Sequence, residues 1–250
     1  PADFSIIWSA TDTASGVASV ESATVVTREG RGLSFVGRAE DNVRNVAIST
    51  ATANLDKTPP SVDAGRPFEV FEGQPAQFAA MVTDNLDKAV EFSWVFGDSG
   101  TAGQELQPAH VYADNGSFVA VLTAIDHAGH ISTGAVRITV KNAPPVVEAG
   151  PDHAAAEGSF VALLSTFSDL GRLDTHTATV DWGDGITSIA TVTETDGRGA
   201  LSAAHAYGDN GVYTVTVSVT DKDGGAGRDI LRVAVANVAP ELVSLPNLKA

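Results

Sequence analysis

The chain has 250 residues, 43% apolar and 6% aromatic, with a net charge of −16 and a sequence pI near 4.5. That charge argues against a nucleic-acid backbone or an anionic lipid surface as partner, and no apolar run of about 18 residues is present to insert into a membrane. Cysteine is absent, which excludes disulfides, thiolate metal sites and cysteine nucleophiles and leaves the compartment open. The chain starts at Pro1 without an initiator Met and so reads as a piece of a longer protein, and any secretion signal is expected to lie outside it. Its 24 Gly, 11 Pro and many small and β-branched residues predict strands joined by tight turns.

A repeat sets the organisation. Val62-Asp63-Ala64-Gly65 recurs as Val147-Glu148-Ala149-Gly150, and Phe71-Glu72-Gly73 as Ala156-Glu157-Gly158. Phe96-Gly97-Asp98-Ser99 recurs as Trp182-Gly183-Asp184-Gly185, and His110-Val111-Tyr112 as His205-Ala206-Tyr207. The second copy gains residues between the Gly-Asp turn and the His-x-Tyr element, which predicts a longer loop or hairpin tip there. Pro-containing joints at Thr58-Pro59-Pro60, Ala143-Pro144-Pro145 and Ala239-Pro240 predict four segments. These are a partial first module over 1–57, a middle module over 58–142, a later module over 143–239, and a linker or the start of a further module over 240–250. Joints this short and Pro-bearing predict semi-rigid connections.

The hydrophobic period is that of strands, with no helical stripe. In Val212–Thr220, Tyr213, Val215, Val217 and Val219 share one face, and Thr214, Thr216, Ser218 and Thr220 the other. The middle module's counterpart sets Phe118, Ala120, Leu122 and Ala124 toward the core and Val119, Val121 and Ile125 outward, where a neighbouring loop or another chain would cover them. Trp8, Trp94 and Trp182 fall within predicted strands and are expected in the core. Short strands with turns every 8–12 residues predict an all-β chain of tandem Ig-like β-sandwiches in an elongated array.

Phe92-Ser93-Trp94-Val95-Phe96-Gly97-Asp98, His110-Val111-Tyr112, Gly116-Ser117-Phe118 and Thr123-Ala124-Ile125-Asp126 resemble the PKD (polycystic kidney disease) domain. The later copy is closer, with Asp181-Trp182-Gly183-Asp184-Gly185, His205-Ala206-Tyr207, Gly211-Val212-Tyr213 and Val219-Thr220-Asp221. It departs at Val180, and the earlier copy departs at Val95 and Ser99. The resemblance covers about 58–239 and implies a seven-stranded Ig-like sandwich. Before it, Trp8-Ser9-Ala10-Thr11-Asp12, Ser15-Gly16-Val17-Ala18-Ser19 and Asp56-Lys57-Thr58-Pro59-Pro60 resemble a partial bacterial Ig-like surface repeat, with Val43 and Arg44 where Ala and Gly are usual.

Gly97-Asp98-Ser99-Gly100 has the form of a trypsin-like nucleophile motif. All six His follow Ser99, whereas that family places its His base earlier, and the sister module has Gly185 at the matching site. The motif therefore reads as a turn, with Asp98 and Asp184 accepting nearby amides. His110 and His205 read as parts of a corner bonded to backbone, and His127-Ala128-Gly129-His130 lacks further ligands for zinc. The expectation is that the chain is not an enzyme.

The metal reading is calcium. In an Ig-like sandwich the N-terminal end, the B–C loop and the F–G loop meet at one pole. In the later module these carry Asn142, Asp169 and Asp221, an oxygen set suited to a hard cation. The resemblance implies the same three positions, because some PKD-type modules bind calcium there. In the middle module Asp84 and Asp126 correspond, but Lys57 replaces Asn142. An ammonium cannot ligate, so that site is expected to be weaker or empty unless Asp87 or a backbone carbonyl substitutes. The other reading of these acids is a solvated loop. Net charge runs −2, −6 and −8 over 1–57, 58–143 and 144–240. Calcium at the joints would offset the repulsion between such modules.

Two function classes remain. One is a non-catalytic, calcium-stiffened spacer that presents other domains of a larger extracellular or cell-surface bacterial protein, its partners being the neighbouring modules of the same chain. The other is an adhesion module that binds a protein or polysaccharide, accessory to a hydrolase or adhesin. An exposed aromatic platform would favour a polysaccharide, and the outward face of Val119, Val121 and Ile125 a protein.

Overall fold

The computed structural model describes residues 2–86 and 90–242. Every regular element among them is a β-strand, and no helix is long and apolar enough to cross a membrane. The chain divides into two compact units, one of residues 1–67, 77–110 and 118–137, the other of residues 68–76, 111–117 and 138–250.

In the first unit, Val17–Val20, Gly30–Asp41 and Val46–Leu55 form a three-stranded antiparallel sheet, and Phe4–Ile6 pairs with Thr24–Val26. The core here is small, built on Val26, Leu33 and Leu55. Trp8 departs from expectation. It lies outside any strand and is half-buried over Gly37, where a Cβ would come within 2.1 Å of the indole. Further along, Glu91–Val95 pairs with Thr101–Gly103 on one side and with Val121–Ile125 on the other. Trp94 is 0% exposed and packs with Phe78, their ring centroids 5.0 Å apart. Ala120, Leu122 and Ala124 are buried while Val119 and Ile125 are exposed, the alternation predicted for this strand.

The second unit contains a complete sandwich. One sheet has the order Val146–Glu148, Phe160–Ser168, Arg198–Ala206, Thr191–Thr195. The other has the order His153–Ala156, Ala226–Ala236, Gly211–Asp221, His176–Asp181, Thr187–Ile189. Between them lie Val147, Leu163, Phe167, Val180, Trp182, Leu201, Val215, Val217 and Leu231. This is nine strands rather than the seven the resemblance implies, and the inserted residues account for part of the excess. They fold as the hairpin Thr191–Thr195 with Arg198–Ser202, closed by Asp196 and Gly197, both at positive φ. The same unit holds Phe68–Phe71, which pairs in parallel with Ile138–Lys141.

Candidate functional site

The two Gly-Asp turns come first, because they carry the protease-like motif. Asp98 accepts the Gly100 amide (2.9 Å) and bonds to His110 Nε2 (2.7 Å). Asp184 accepts the Ile186 amide (3.1 Å) and bonds to His205 Nε2 (2.6 Å). Both histidines thus bond to the turn carboxylate. Tyr207 reaches backbone, donating to the Trp182 carbonyl at 3.0 Å. Burial would raise the Asp98 and Asp184 carboxyls, but the histidine and amide bonds outweigh it and hold both below their usual value. The Ser99 hydroxyl donates to the Asp98 carbonyl, and His110 Nε2 bonds to Asp98. Trp94 and Trp182 are both fully buried, whereas Val119 and Ile125 stay exposed at 46% and 37%.

The acidic pole of the later module is built by three loops. Asp169 opens the loop after strand Phe160–Ser168, its Oδ1 accepting the Gly171 amide at 2.7 Å. Asp221 ends strand Gly211–Asp221, its Oδ1 accepting the amides of Asp223 (2.9 Å) and Gly225 (2.8 Å). Asn142 lies in the joint and donates through Nδ2 to Asp221 Oδ2 at 2.9 Å. Asp174 completes the group: carboxylate oxygens of Asp169, Asp174 and Asp221 all lie within 4.8 Å of one another. The structure therefore brings Asn142, Asp169 and Asp221 together and adds Asp174. Burial, opposed by Lys222, raises the Asp174 carboxyl, and the charges of Asp169 and Asp114 push the same way.

The surroundings hold this loop cluster in place. His176 is buried between Asp169 (Nε2, 3.1 Å) and Glu194 (Nδ1, 2.7 Å). Burial disfavours its charge, but the two carboxylates prevail and raise its pKa. Glu194 belongs to the inserted hairpin, whose tip carbonyl at Gly197 accepts the Asp169 amide at 2.6 Å. The insertion thus braces the pole. Lys222 supplies the nearest ammonium, bonded to Asp114 (2.8 Å), Asp174 and Asp223 (3.1 Å).

Glu72 reaches the same place from the middle module. It is 0% exposed, accepts the Ala143 amide through Oε1 at 2.8 Å, and shares a 4.8 Å cluster with Asp114 and Asp174. Burial pushes its pKa up to about 7, with Ala143 opposing and the charges of Asp174 and Asp169 adding to it. Neither Glu72 nor Asp174 was singled out from sequence. Asp174 sits inside a loop with no periodicity. Glu72 was visible only as part of the recurring Glu-Gly pair.

The middle module's pole lies wholly in the first unit. Asp126 bonds to His130 through both its backbone amide and Nδ1, each at 2.8 Å. Asp56, Asp126 and His130 form a 4.8 Å cluster, and the charges of Asp84 and Asp126 help burial raise the Asp56 carboxyl. The chain thus places Asp56 at this pole, while the Lys57 ammonium turns away to the Thr27 carbonyl (2.9 Å) and to Asp3. Asp87 lies outside the described residues. Beside the cluster, Gly30, Arg31, Asp56, Leu86, His127 and Ala128 line a cavity of about 410 Å³.

Comparison with known proteins places these residues in a family. The profile of the PKD domain matches residues 57–140 and again 142–235. Collagenase ColA of Bacillus cereus is 32% identical over 99 residues, which is 39% of this chain and 10% of that protein. Collagenase ColQ1 of Bacillus cereus strain Q1 is 30% identical over 133 residues, 53% of this chain and 12% of that protein. The chain therefore spans about a tenth of the collagenases it matches. Among solved structures, the PKD domain of an M14-like peptidase from a Thermoplasmatales archaeon is 22% identical with a TM-score of 0.32, covering 38% of this chain and 98% of that one. A three-domain I-band fragment of titin is 11% identical with a TM-score of 0.42, covering 87% and 79%.

Proposed function

The chain belongs to the PKD domain family, and from that premise we propose that it is a non-catalytic spacer segment of a larger extracellular bacterial protein, stiffened by calcium at its joints. Tandem PKD domains in relatives named as collagenases support an accessory role beside a catalytic part located elsewhere. The proposed modules are 58–142 and 143–239, with the Pro-bearing joints between them. Export to the cell surface or medium is part of the proposal.

The observation that carries the calcium reading is the donor set at the later pole. Asp169, Asp174, Asp221 and Asn142 offer hard oxygen ligands, and two buried atoms among them, Asp174 Oδ2 and Asn142 Oδ1, have no hydrogen-bond partner. Unpartnered buried acceptors beside three carboxylates fit a divalent cation and not a solvated loop. At the middle pole, Asp56, Asp84 and Asp126 are the proposed oxygen donors, and the added His130 makes that set less suited to calcium.

Thermal unfolding in excess EDTA and then in millimolar calcium tests the reading. Stabilisation of about 2.7 kcal/mol is expected at a hundredfold excess over Kd. The gain should vanish in Asp221→Ala. An unchanged melting temperature in the wild-type chain would remove calcium from the account and leave a plain spacer.

A further inference from the structure

Resting on the calcium reading of Asn142, Asp169 and Asp221, we propose that the later module's ion is shared across the joint, with the Glu72 carboxylate of the middle module as a ligand. The site would then belong to neither module alone. Occupancy would fasten the turn at Glu72-Gly73 to the loop at Asp169–Asp174.

The argument begins with a carboxylate that has no exposure to water. A buried carboxylate needs a donor at each oxygen, a proton, or a cation. Glu72 Oε1 has the Ala143 amide, the Asn115 backbone amide exerts a weaker pull on the carboxyl, and Oε2 has no partner at hydrogen-bond geometry. Asp174, 6% exposed, faces it with Oδ2 likewise unpartnered. A third orphan acceptor, Asn142 Oδ1, lies in the same joint. One proton on Glu72 could satisfy one such acceptor and would leave another bare, and an amide carbonyl takes no proton near neutral pH. Asp174 belongs to two clusters, one with Glu72 and Asp114 and one with Asp169 and Asp221, so a cation with six to eight oxygen ligands held at Asp174 would draw on both.

The local ammonium does not fill this role. Lys222 Nζ is already engaged by Asp114, Asp174 and Asp223, and none of its bonds goes to Glu72. Against one lysine stand Glu72, Asp114, Asp169, Asp174, Asp221 and Asp223. The backbone is shaped for the approach as well. A Cβ at Gly73 would come within 2.5 Å of the Leu170 carbonyl, and one at Gly171 within 2.8 Å of the Glu72 carboxyl carbon. Both loops are bare where they meet, so the carboxylate enters without side chains in the way.

The test is a calcium titration of the full chain followed by backbone amide NMR. Gly73 reports on the middle module, and Gly171 and Gly225 on the later one. In the wild type the three amides should shift along one curve. Glu72→Gln keeps the acceptor for Ala143 and removes the charge. It should weaken calcium about tenfold at Gly171 and Gly225 and uncouple Gly73 from them. Should that variant fold poorly, Glu72→Asp withdraws the carboxylate by one methylene and should weaken binding in the same way. Unchanged curves at Gly171 and Gly225 in the folded variant, with binding still lost in Asp221→Asn, would overturn the shared ligand and leave the single-module calcium reading standing. No calcium-dependent shift in the wild type would overturn both.

Discussion

At the first joint Glu29 accepts the amides of Lys57 (2.9 Å) and Thr58 (3.0 Å) and the Thr58 hydroxyl (2.9 Å), which hold its carboxyl down to about 2. At the second joint Glu72, in the turn Glu72-Gly73, accepts one amide of the exit segment, that of Ala143. Glu157 repeats the contact at the end of the later module, accepting the Val238 amide at 2.8 Å. The device thus recurs three times: a Glu that precedes a Gly grips a backbone amide far along the chain. What differs is the remainder. Glu29 is partly open to solvent and satisfied by neighbours, and a cavity of about 410 Å³ lies close by at Gly30. Glu72 is sealed in with one oxygen unsatisfied, and the second joint is closed where its glycines meet the facing loop. The Glu29 carboxylate is satisfied by its neighbours, whereas the Glu72 carboxylate has capacity left for a ligand.

The largest effect that would sharpen this contrast is steric. Gly73→Ala forces a side chain into positive φ and onto the Leu170 carbonyl, at an expected cost of about 2 kcal/mol. Gly32→Ala, in the first module at φ +60 with nothing within 4 Å, should cost only about 1 kcal/mol. Urea unfolding of the two variants isolates the close approach, and equal losses would mean that the second joint is not packed as described. A smaller change is expected from Lys222→Met in EDTA. Removing the ammonium that joins Asp114 and Asp174 should cost about 1 kcal/mol, since the lysine is one-third exposed and its pairs are screened. Calcium should restore more stability to this variant than to the wild type.

In EDTA the pH response of the two joints should run in opposite directions. Glu29 lies below its ordinary value of 4.5, so its contribution is present above 4.5 and is lost as the pH falls toward 2. Glu72 is raised from 4.5 to about 7, so its ionised form disfavours the fold. Its unfavourable contribution should appear as the pH rises from 4.5 to 7 and be constant above that. Hydrogen exchange at Thr58 and Ala143 separates the two. A fall in protection at Ala143 on acidification from 7 to 4.5 would contradict the assignment.

The β architecture was legible because alternation is a local signal: Tyr213, Val215, Val217 and Val219 declare a buried face within a few residues. The repeat placed Asn142, Asp169 and Asp221 at one pole, because equivalent residues in an Ig-like sandwich end at equivalent corners. Glu72 and Asp174 escaped for a physical reason. Their meeting joins positions far apart in the chain, and nothing in either neighbourhood encodes it. Trp8 misled because its flanking residues alternate like a strand, whereas its indole lies over the bare backbone of Gly37. The His-x-Tyr element was readable as a corner, but the bond from each histidine to the carboxylate of the facing turn was not, because that turn is distant in sequence.

The parallel pairing near each module's ends bears on how it would respond to force. In the later module His153–Ala156, close to where the chain enters, runs parallel to Val233–Ala236, where it leaves, through four residue pairs. Phe68–Phe71 and Ile138–Lys141 repeat the arrangement in the middle module. Tension between the two ends pulls such strands in opposite directions along their own axes. The bonds between them are then loaded together in shear and do not open one after another like a zipper. Stretching by a distant anchor should therefore meet its main resistance at these short end patches, before either sandwich core is disturbed.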